Sequence, residues 1–200
     1  MAEQYFSKQP QSKSHPTTWQ SNIAGETYTF TSDEGVFSKK TVDFGSRLLI
    51  ETYEDPGVEG DLLDLGCGYG PIGITLARSY EERQIVMVDI NERAVALAKE
   101  NAVTNGVTNV HITQSNQFEQ IQGRKFAAIL TNPPIRAGKK LIHEMFEKSA
   151  ESLVEQGELW IVIQKKQGAP SAQKKLEELF SDVQIVARKK GYYIIKGKNI

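Results

Sequence analysis

The chain has 200 residues, of which 39% are hydrophobic and 24% are charged, and its formal net charge is −1. This length and composition predict one domain with a substantial core. The single cysteine excludes a disulfide and a cysteine metal cluster, and the three histidines show no ligand spacing, so we expect no metal site. No apolar run approaches the roughly 18 residues of a membrane span, and no signal peptide is visible, so we expect a cytoplasmic protein.

The N-terminal part of the chain, residues 1–34, is rich in Ser, Thr, Gln and Pro. Only residues 28–31 alternate like a strand. We therefore expect residues 1–34 to form an extension with a hairpin, packed on a catalytic domain of residues 35–200. The helical pattern of residues 41–53 opens that domain.

A glycine loop follows the first buried strand of this domain. The apolar run of residues 61–65 leads into Gly66-Cys67-Gly68-Tyr69-Gly70, and residues 71–78 continue with helical character. Glycine permits positive φ and a close approach of a ligand, so the loop is expected to present backbone N–H groups to a cofactor. A second apolar run ends at Asp89, where a carboxylate suits the two hydroxyl groups of a ribose. A dinucleotide enzyme, or a tight turn without a ligand, would show the same pattern.

Helices and strands alternate through the rest of the chain. Asn91 is a predicted N-cap for a helix that stops at Asn105-Gly106. Further strands are predicted at residues 110–113, 126–130, 159–163, 183–187 and 192–196, and further helices at residues 138–154 and 171–180. This alternation predicts an α/β fold with a doubly wound, mostly parallel sheet and an antiparallel C-terminal hairpin.

A rigid polar corner, Asn132-Pro133-Pro134-Ile135, follows the strand at residues 126–130. The prolines remove two backbone donors, which leaves the Asn132 side-chain oxygen and the proline carbonyls as a cluster of acceptors. Such a cluster suits a planar amino group, because it accepts the N–H bonds and leaves the nitrogen lone pair free. A plain turn is the other interpretation of this corner.

Together, the loop and the corner resemble those of class I S-adenosylmethionine-dependent methyltransferases. The chain is most similar to the catalytic domain of the ribosomal-RNA small-subunit methyltransferase C family, which methylates guanine N2. The segments that carry this resemblance, in chain order, are Gly35-Val36-Phe37-Ser38, Asp64-Leu65-Gly66-Cys67-Gly68-Tyr69-Gly70, Ser115-Asn116, Asn132-Pro133-Pro134-Ile135-Arg136-Ala137-Gly138, Gly157-Glu158-Leu159-Trp160 and Gly191-Tyr192-Tyr193.

The resemblance implies a seven-stranded Rossmann-like sheet, S-adenosylmethionine as cofactor, and ribosomal RNA or the small ribosomal subunit as partner. It assigns cofactor binding to Asp64, Gly66, Gly68, Gly70, Asp89 and Asn116. It assigns catalysis to Asn132, Pro133 and Pro134, and substrate binding to Phe37, Ile135, Arg136, Lys139 and Lys140. The sequence leaves the oligomeric state open between a monomer and a homodimer.

Two positions depart from the family pattern. The fourth residue of the corner is usually aromatic and here is Ile135, and the next, often His, is Arg136. The chemistry also allows a protein glutamine methyltransferase, which uses a similar corner, or an S-adenosylmethionine-binding module without catalysis. Cys67 admits a catalytic thiol as a second interpretation beside a small residue that fits the turn.

Charge is divided between the two parts of the chain. Residues 1–122 carry 9 Lys and Arg against 17 Asp and Glu, whereas residues 123–200 carry 15 against 8. The basic residues near the corner, Arg136, Lys139 and Lys140, and those near residues 165–166 and 188–190, are expected at one edge of the sheet. A nucleic-acid backbone could follow such an edge, whereas solvated lysines on turns are the simpler interpretation.

Overall fold

The computed structural model describes residues 7–38 and 40–200, so the first six residues of the predicted extension lie outside the described residues. The strands are β1 (Thr17–Ile23), β2 (Glu26–Ser32), β3 (Asp61–Leu65), β4 (Ile85–Asp89), β5 (Val110–Gln114), β6 (Phe126–Thr131), β7 (Leu153–Gln164), β8 (Asp182–Lys189) and β9 (Tyr192–Lys198). The α-helices are α1 (Phe44–Thr52), α2 (Pro71–Ser79), α3 (Glu92–Thr104), α4 (Lys139–Glu151) and α5 (Ala169–Leu179). No described helix combines the length and the apolar character that crossing a membrane requires.

Seven strands form the central sheet in the order β5-β4-β3-β6-β7-β9-β8. The strands from β5 to β7 are parallel, and β9 and β8 add an antiparallel edge. The predicted doubly wound Rossmann-like sheet is therefore confirmed. Because the chain runs outward from β3 in one direction and from β6 in the other, a crevice opens at the carboxyl ends of these two strands.

Two apolar layers cover the sheet. One contains buried side chains of α1, α2, α3 and the hairpin of β1 and β2, and the other contains those of α4 and α5. The innermost strands are apolar on both faces, as parallel strands between two helical layers must be, and β6 is buried throughout.

The strand β7 begins earlier than predicted, and the preceding helix is shorter. The helix predicted for residues 138–154 ends at Glu151, and Leu153 already pairs with Phe126. The register of β7 then shifts before Glu158 pairs with Ala128. At this irregularity Gly157 is required, because a Cβ there would lie 2.9 Å from the Val154 carbonyl oxygen. Helical periodicity did not reveal the boundary because Leu153 is buried in either element.

The hairpin of β1 and β2 packs on α3 through two asparagines one helical turn apart. Asn105 Oδ1 accepts from Thr29 N and its Nδ2 donates to Thr29 O, and Asn101 bonds in the same way to both backbone groups of Thr31. Four helical residues rise about 6 Å, close to the span of two strand residues, so the two amides match the edge of β2. The division into residues 1–34 and 35–200 stays a prediction.

Asn101 also joins this hairpin to the glycine loop, because its Nδ2 donates to Tyr69 O at 2.8 Å. The Tyr69 ring itself packs edge-on against Trp19 and Phe30, with ring centroids 5.6 Å apart in both pairs. The hairpin thereby packs against the glycine loop through the Tyr69 ring.

Asn101→Ala should destabilise the protein by about 2 to 3 kcal/mol, because it leaves backbone groups of Thr31 and Tyr69 without partners. Urea unfolding measures this change. Val103→Ala is the matched control, since Val103 lies on the same helix and is 81% exposed, and it should change stability by less than about 0.5 kcal/mol. Equal effects of the two substitutions would show that the amide contacts add nothing.

Candidate functional site

A cavity of about 390 Å³ lies at the carboxyl ends of β3, β4, β5 and β6. Its wall is mainly apolar and includes a few polar groups. The glycine loop, the end of β4 and the Asn-Pro-Pro corner all contribute to the wall. Elements far apart in the sequence thus meet at the crevice where open α/β sheets bind ligands.

The glycine loop needs its glycines for conformation and for space. Gly66, Gly68 and Gly70 have φ of 78°, 57° and 102°. Pro71 follows as the first residue of α2, and a Cβ on Gly73 would lie 2.6 Å from the Met87 sulfur. These residues allow the turn between β3 and α2 to lie against the cavity.

Four of the five backbone N–H groups of the loop are bonded within the protein, contrary to the expectation from the sequence. Gly66 N and Cys67 N both donate to Val88 O at 2.9 Å, and Gly70 N donates to Cys67 O at 3.0 Å. Gly68 N donates to the Asp89 carboxylate at 2.8 Å. The prediction that the loop presents these N–H groups to a cofactor is wrong for these four, because three of them bond to β4 and the fourth, Gly70 N, bonds within the loop.

Asp64 is a buried carboxylate with one unused oxygen. Its side chain is 1% exposed, and Oδ2 accepts from Gly73 N at 2.8 Å. Among the described residues, nothing donates to Oδ1. Burial raises the pKa of Asp64 to about 7, the bond from Gly73 partly opposes this rise, and the nearby Asp89 charge adds to it. Leu65 and Gly66, rather than Asp64 itself, form the adjacent cavity wall.

Asp89 lies at the end of β4 and lines the cavity. Its two oxygens accept from Gly68 N and from Asn91 N, at 2.8 and 2.9 Å. Burial raises the pKa of Asp89, and these backbone hydrogen bonds oppose the rise. A further backbone hydrogen bond comes from Ile90, so the carboxylate retains part of its acceptor capacity for a ligand hydroxyl.

Asn91 caps α3, as predicted, and also holds the segment that precedes α1. Its Oδ1 accepts from Arg93 N and Ala94 N, and its Nδ2 donates to Gly35 O at 2.9 Å. The next two residues, Val36 and Phe37, line the cavity. This contact could not be inferred from the sequence, because the residues are 56 positions apart.

The end of β5 contributes Ser115, Asn116 and Gln117 to the cavity wall. Asn116 Nδ2 donates to the Glu119 carboxylate at 2.7 Å. This bond leaves Asn116 Oδ1 as the acceptor on its other side.

The corner presents one side-chain acceptor. Asn132 Nδ2 donates to Asp43 Oδ2 at 3.1 Å and to Ser46 Oγ at 3.0 Å. No group in the described part of the chain donates to Asn132 Oδ1, and Asn132, Pro133 and Pro134 line the cavity. Asp43 and Ser46 also line it and were not singled out in the sequence, although an Asp directly before a helix is a typical N-cap residue.

The substrate-binding candidates fall into two groups. Phe37 is 44% exposed and lines the cavity. Ile135, in contrast, packs against the core layer of α4 and α5, and the wall beyond the corner is formed by Ala137, Leu141 and Met145. Arg136, Lys139 and Lys140 are exposed outside the cavity wall, and none forms an ion pair within residues 7–38 and 40–200.

Cys67 lines the cavity but is a poor nucleophile. Burial raises the pKa of its thiol well above the ordinary value, and the Asp64 and Asp89 charges add to this effect. The thiol therefore stays protonated at neutral pH. Across the described ranges, no cluster of three or more His, Cys, Asp or Glu side chains could hold a metal ion.

A family model described as the methyltransferase small domain matches residues 27–196. The chain belongs to this family, and its fold is that of class I S-adenosylmethionine-dependent methyltransferases. S-adenosylmethionine is the cofactor of this class. The buried, half-satisfied carboxylate of Asp64 and the Asp89 carboxylate at the cavity wall suit a cationic ligand that also carries a ribose.

Two curated relatives are similar to the chain over different shares of its length. The chain is 61% identical to the uncharacterized protein YbxB of Bacillus subtilis over 201 residues, which cover 100% of both chains. It is 38% identical to the ribosomal RNA small subunit methyltransferase C of Aeromonas hydrophila over 132 residues, which cover 64% of this chain and 37% of that protein.

A solved structure of a T. thermophilus 16S rRNA N2 methyltransferase, in complex with AdoMet and guanosine, matches with a TM-score of 0.82 and 26% identity. The match covers 92% of this chain and 51% of that one. The chain thus spans about half the length, or less, of the ribosomal RNA methyltransferases that it matches.

Asp64→Asn should alter how stability depends on pH. Because the pKa of Asp64 is raised from about 3.9 in the unfolded chain to about 7 in the folded protein, the folded state holds the proton more tightly. The stabilisation that protonated Asp64 contributes is therefore complete below about pH 4 and is lost as the pH rises to about 7. An Asn side chain cannot ionise. The free energy of unfolding of the variant, relative to wild type, should therefore increase between about pH 4 and pH 7, by at most about 1.4 kcal/mol per pH unit.

Urea unfolding of both proteins at several pH values measures this difference. Glu155→Gln, which removes an exposed carboxylate, serves as the control. Parallel curves for wild type and Asp64→Asn would contradict the account of a buried carboxylate.

Proposed function

We propose that this protein transfers a methyl group from S-adenosylmethionine to the exocyclic N2 amino group of a guanine in ribosomal RNA of the small subunit. The observation that carries the proposal is the free Asn132 Oδ1 at the wall of a cavity that also contains the glycine loop and Asp89. The relatives that act on ribosomal RNA, and the guanosine in the related T. thermophilus structure, support this choice of target. Because ribosomal RNA is the proposed substrate, the proposal includes a cytoplasmic location.

The cofactor's amino-acid end is assigned to Asp64, Gly66 and Gly68, and Gly70 holds the turn into α2. An ammonium ion requires acceptors, and the carboxylate of Asp64 and the loop carbonyls are the acceptors here. Asp89 is assigned to the ribose, because its carboxylate lines the cavity at the end of β4.

The adenine is assigned to the end of β5. Asn116 Oδ1 faces away from Glu119 and suits the adenine amino group as an acceptor. Apolar contacts come from Ile90, Ala94 and Val36, which line the same cavity. None of these three was assigned to the cofactor from the sequence.

The corner receives the substrate amino group. When bound, S-adenosylmethionine supplies a sulfonium methyl group, whose bond to sulfur breaks with its electron pair as the substrate nitrogen forms the N–C bond. Asn132 Oδ1 and the Pro133 carbonyl accept the N–H bonds of the amino group, which localises the nitrogen lone pair and directs it. The nitrogen then releases a proton to water, so orientation supplies much of the acceleration and no strong base is needed.

The base itself is expected to lie against Phe37 and Pro134. Both line the cavity, and the Phe37 ring is partly exposed at the segment held by Asn91. Because Ile135 packs against the layer of α4 and α5 instead, we expect Phe37 to supply the aromatic surface that the corner lacks. A base reaches such a cavity only when it is unstacked, so unpaired or loop RNA is the preferred substrate.

Basic residues lie at the same edge of the sheet as the corner. Arg136 lies in the 3₁₀ turn Ile135–Ala137, and Lys139 and Lys140 begin α4 directly after it. The turn between β8 and β9 carries further basic residues and joins the end of β7 through the bond from Lys165 N to Gly191 O at 2.8 Å. Lys175, in contrast, is paired with Glu147 and Glu178 and so does not contribute.

Asn132→Ala should lower the turnover rate by about two orders of magnitude or more while leaving S-adenosylmethionine affinity nearly unchanged, because the lost acceptor acts mainly in the transition state. Asp89→Ala, in contrast, should weaken cofactor binding by about 10-fold or more. Calorimetry gives the affinities, and transfer from labelled cofactor to small ribosomal subunits or naked RNA gives the rates.

Mass spectrometry of the labelled product identifies the acceptor. N2-methylguanosine is the expected product of the wild-type protein. Label in protein glutamine, or in a different nucleoside, would contradict the proposed target, and cofactor binding without any transfer would point to a module without catalysis.

The affinity for RNA should fall steeply with salt, by roughly 0.7 log units per log unit of salt for each phosphate that the protein neutralises. Replacing Arg136, Lys139 and Lys140 with Ala should flatten that slope by up to about 2 and leave cofactor binding unchanged. The matched control replaces Lys99, Lys125 and Lys198, which lie away from the cavity edge. Filter binding at several salt concentrations tests this, and equal slopes for the two triple variants would rule out the basic edge as an RNA-docking surface.

A further inference from the structure

The first turn of α1 contacts the Asn-Pro-Pro corner directly. Asp43 is the N-cap of this helix, and its Oδ2 accepts from Ser46 N at 3.0 Å. The same oxygen accepts from Asn132 Nδ2 at 3.1 Å, and Ser46 Oγ accepts from the same nitrogen at 3.0 Å. One turn of helix therefore provides two acceptors for one amide group.

The Asp43 carboxylate determines which way the Asn132 amide faces. A rotation of the amide by half a turn would bring Oδ1 against this carboxylate, where two acceptors repel each other, and would lose the bond to Asp43. Ser46 adds a second contact in the observed orientation, but its hydroxyl can donate as well as accept. Asn132 therefore keeps Nδ2 toward α1 and Oδ1 on the opposite side. Without these partners, either end of the amide could face the cavity.

Close packing fixes the position of this turn. A Cβ on Gly45 would lie 2.9 Å from Cε1 of Tyr192 and 3.2 Å from Asp43 Oδ2, so the turn lies against β9 with no space for a side chain. Phe44 packs on the Tyr192 ring with centroids 5.4 Å apart. The acceptors are thus held by the sheet rather than by a mobile loop.

We infer that Asp43, assisted by Ser46, is a positioning residue for methyl transfer that keeps Asn132 Oδ1 directed at the substrate amino group. This inference rests on the proposed function, because it gives Asn132 Oδ1 the role described there. Asp43 acts through Asn132 and requires no proton transfer of its own.

Three variants separate this role from helix capping. Asp43→Ser keeps a residue that caps helices well, but its shorter side chain does not reach Asn132. Asp43→Asn retains an oxygen that can accept from both Ser46 N and Asn132 Nδ2, so it is the conservative variant. Ser46→Ala removes only the second acceptor, and the Asp43 cap remains.

The turnover rate of Asp43→Ser should fall by about 10- to 100-fold, since small displacements of a reacting group have effects of this size, while the cofactor dissociation constant stays within about 2-fold. Ser46→Ala should show a smaller loss, and Asp43→Asn should stay within about 3-fold of wild type. If Asp43→Asn loses as much activity as Asp43→Ser, the negative charge itself is needed, and a role as proton acceptor replaces the positioning role.

A second measurement does not depend on activity. In ¹⁵N–¹H spectra, the Asn132 side-chain signals are identified by their absence in Asn132→Ala. Both protons should exchange slowly with water in wild type and in Asp43→Asn, and faster in Asp43→Ser. Unchanged exchange in Asp43→Ser would overturn the positioning role, whereas a wild-type protein that methylates no RNA but shows the expected exchange would overturn only the proposed function.

Discussion

The carboxyl ends of β3 and β6 lie side by side, and the arrangement of the site depends on this contact. Thr131, the last residue of β6, donates from its hydroxyl to Leu65 O at the end of β3 at 2.8 Å. The glycine loop follows Leu65 directly and the corner follows Thr131, so this buried hydrogen bond extends the pairing of β3 with β6 to the point where the two segments begin. Since the helices leave the sheet in opposite directions here, the crevice stays open.

Buried polar groups carry the specificity of this crevice. Asp89 and Asn132 each have their positions fixed by protein donors or acceptors, and Asp64 is fixed through one oxygen only. Two side-chain acceptors lack a protein donor among the described residues. Asn132 lines the cavity, whereas Asp64 is buried next to the wall that Leu65 and Gly66 form. A buried carboxylate with a raised pKa costs stability at neutral pH, and such a cost is typical of residues retained for binding.

The sequence predicted the features that local rules determine. The glycine loop, Asp89 at a strand end and the Asn91 cap each follow from neighbouring residues, and so does the order of strands and helices. The contacts of Asp43 and Ser46 with Asn132 span 89 and 86 residues, and those of Asn101 with the hairpin span 70. Only tertiary packing brings these groups together. Tertiary contacts also place Ile135 against the layer of α4 and α5 and provide acceptors for four of the loop N–H groups.

A crystal structure of the protein with S-adenosylhomocysteine and guanosine would test the central claim most directly. The account predicts the guanine N2 within hydrogen-bond distance of Asn132 Oδ1, the cofactor ribose on Asp89, and Asn132 Nδ2 still bonded to Asp43 and Ser46. A guanine bound away from the corner, or an Asn132 amide turned so that Nδ2 faces the base, would contradict it.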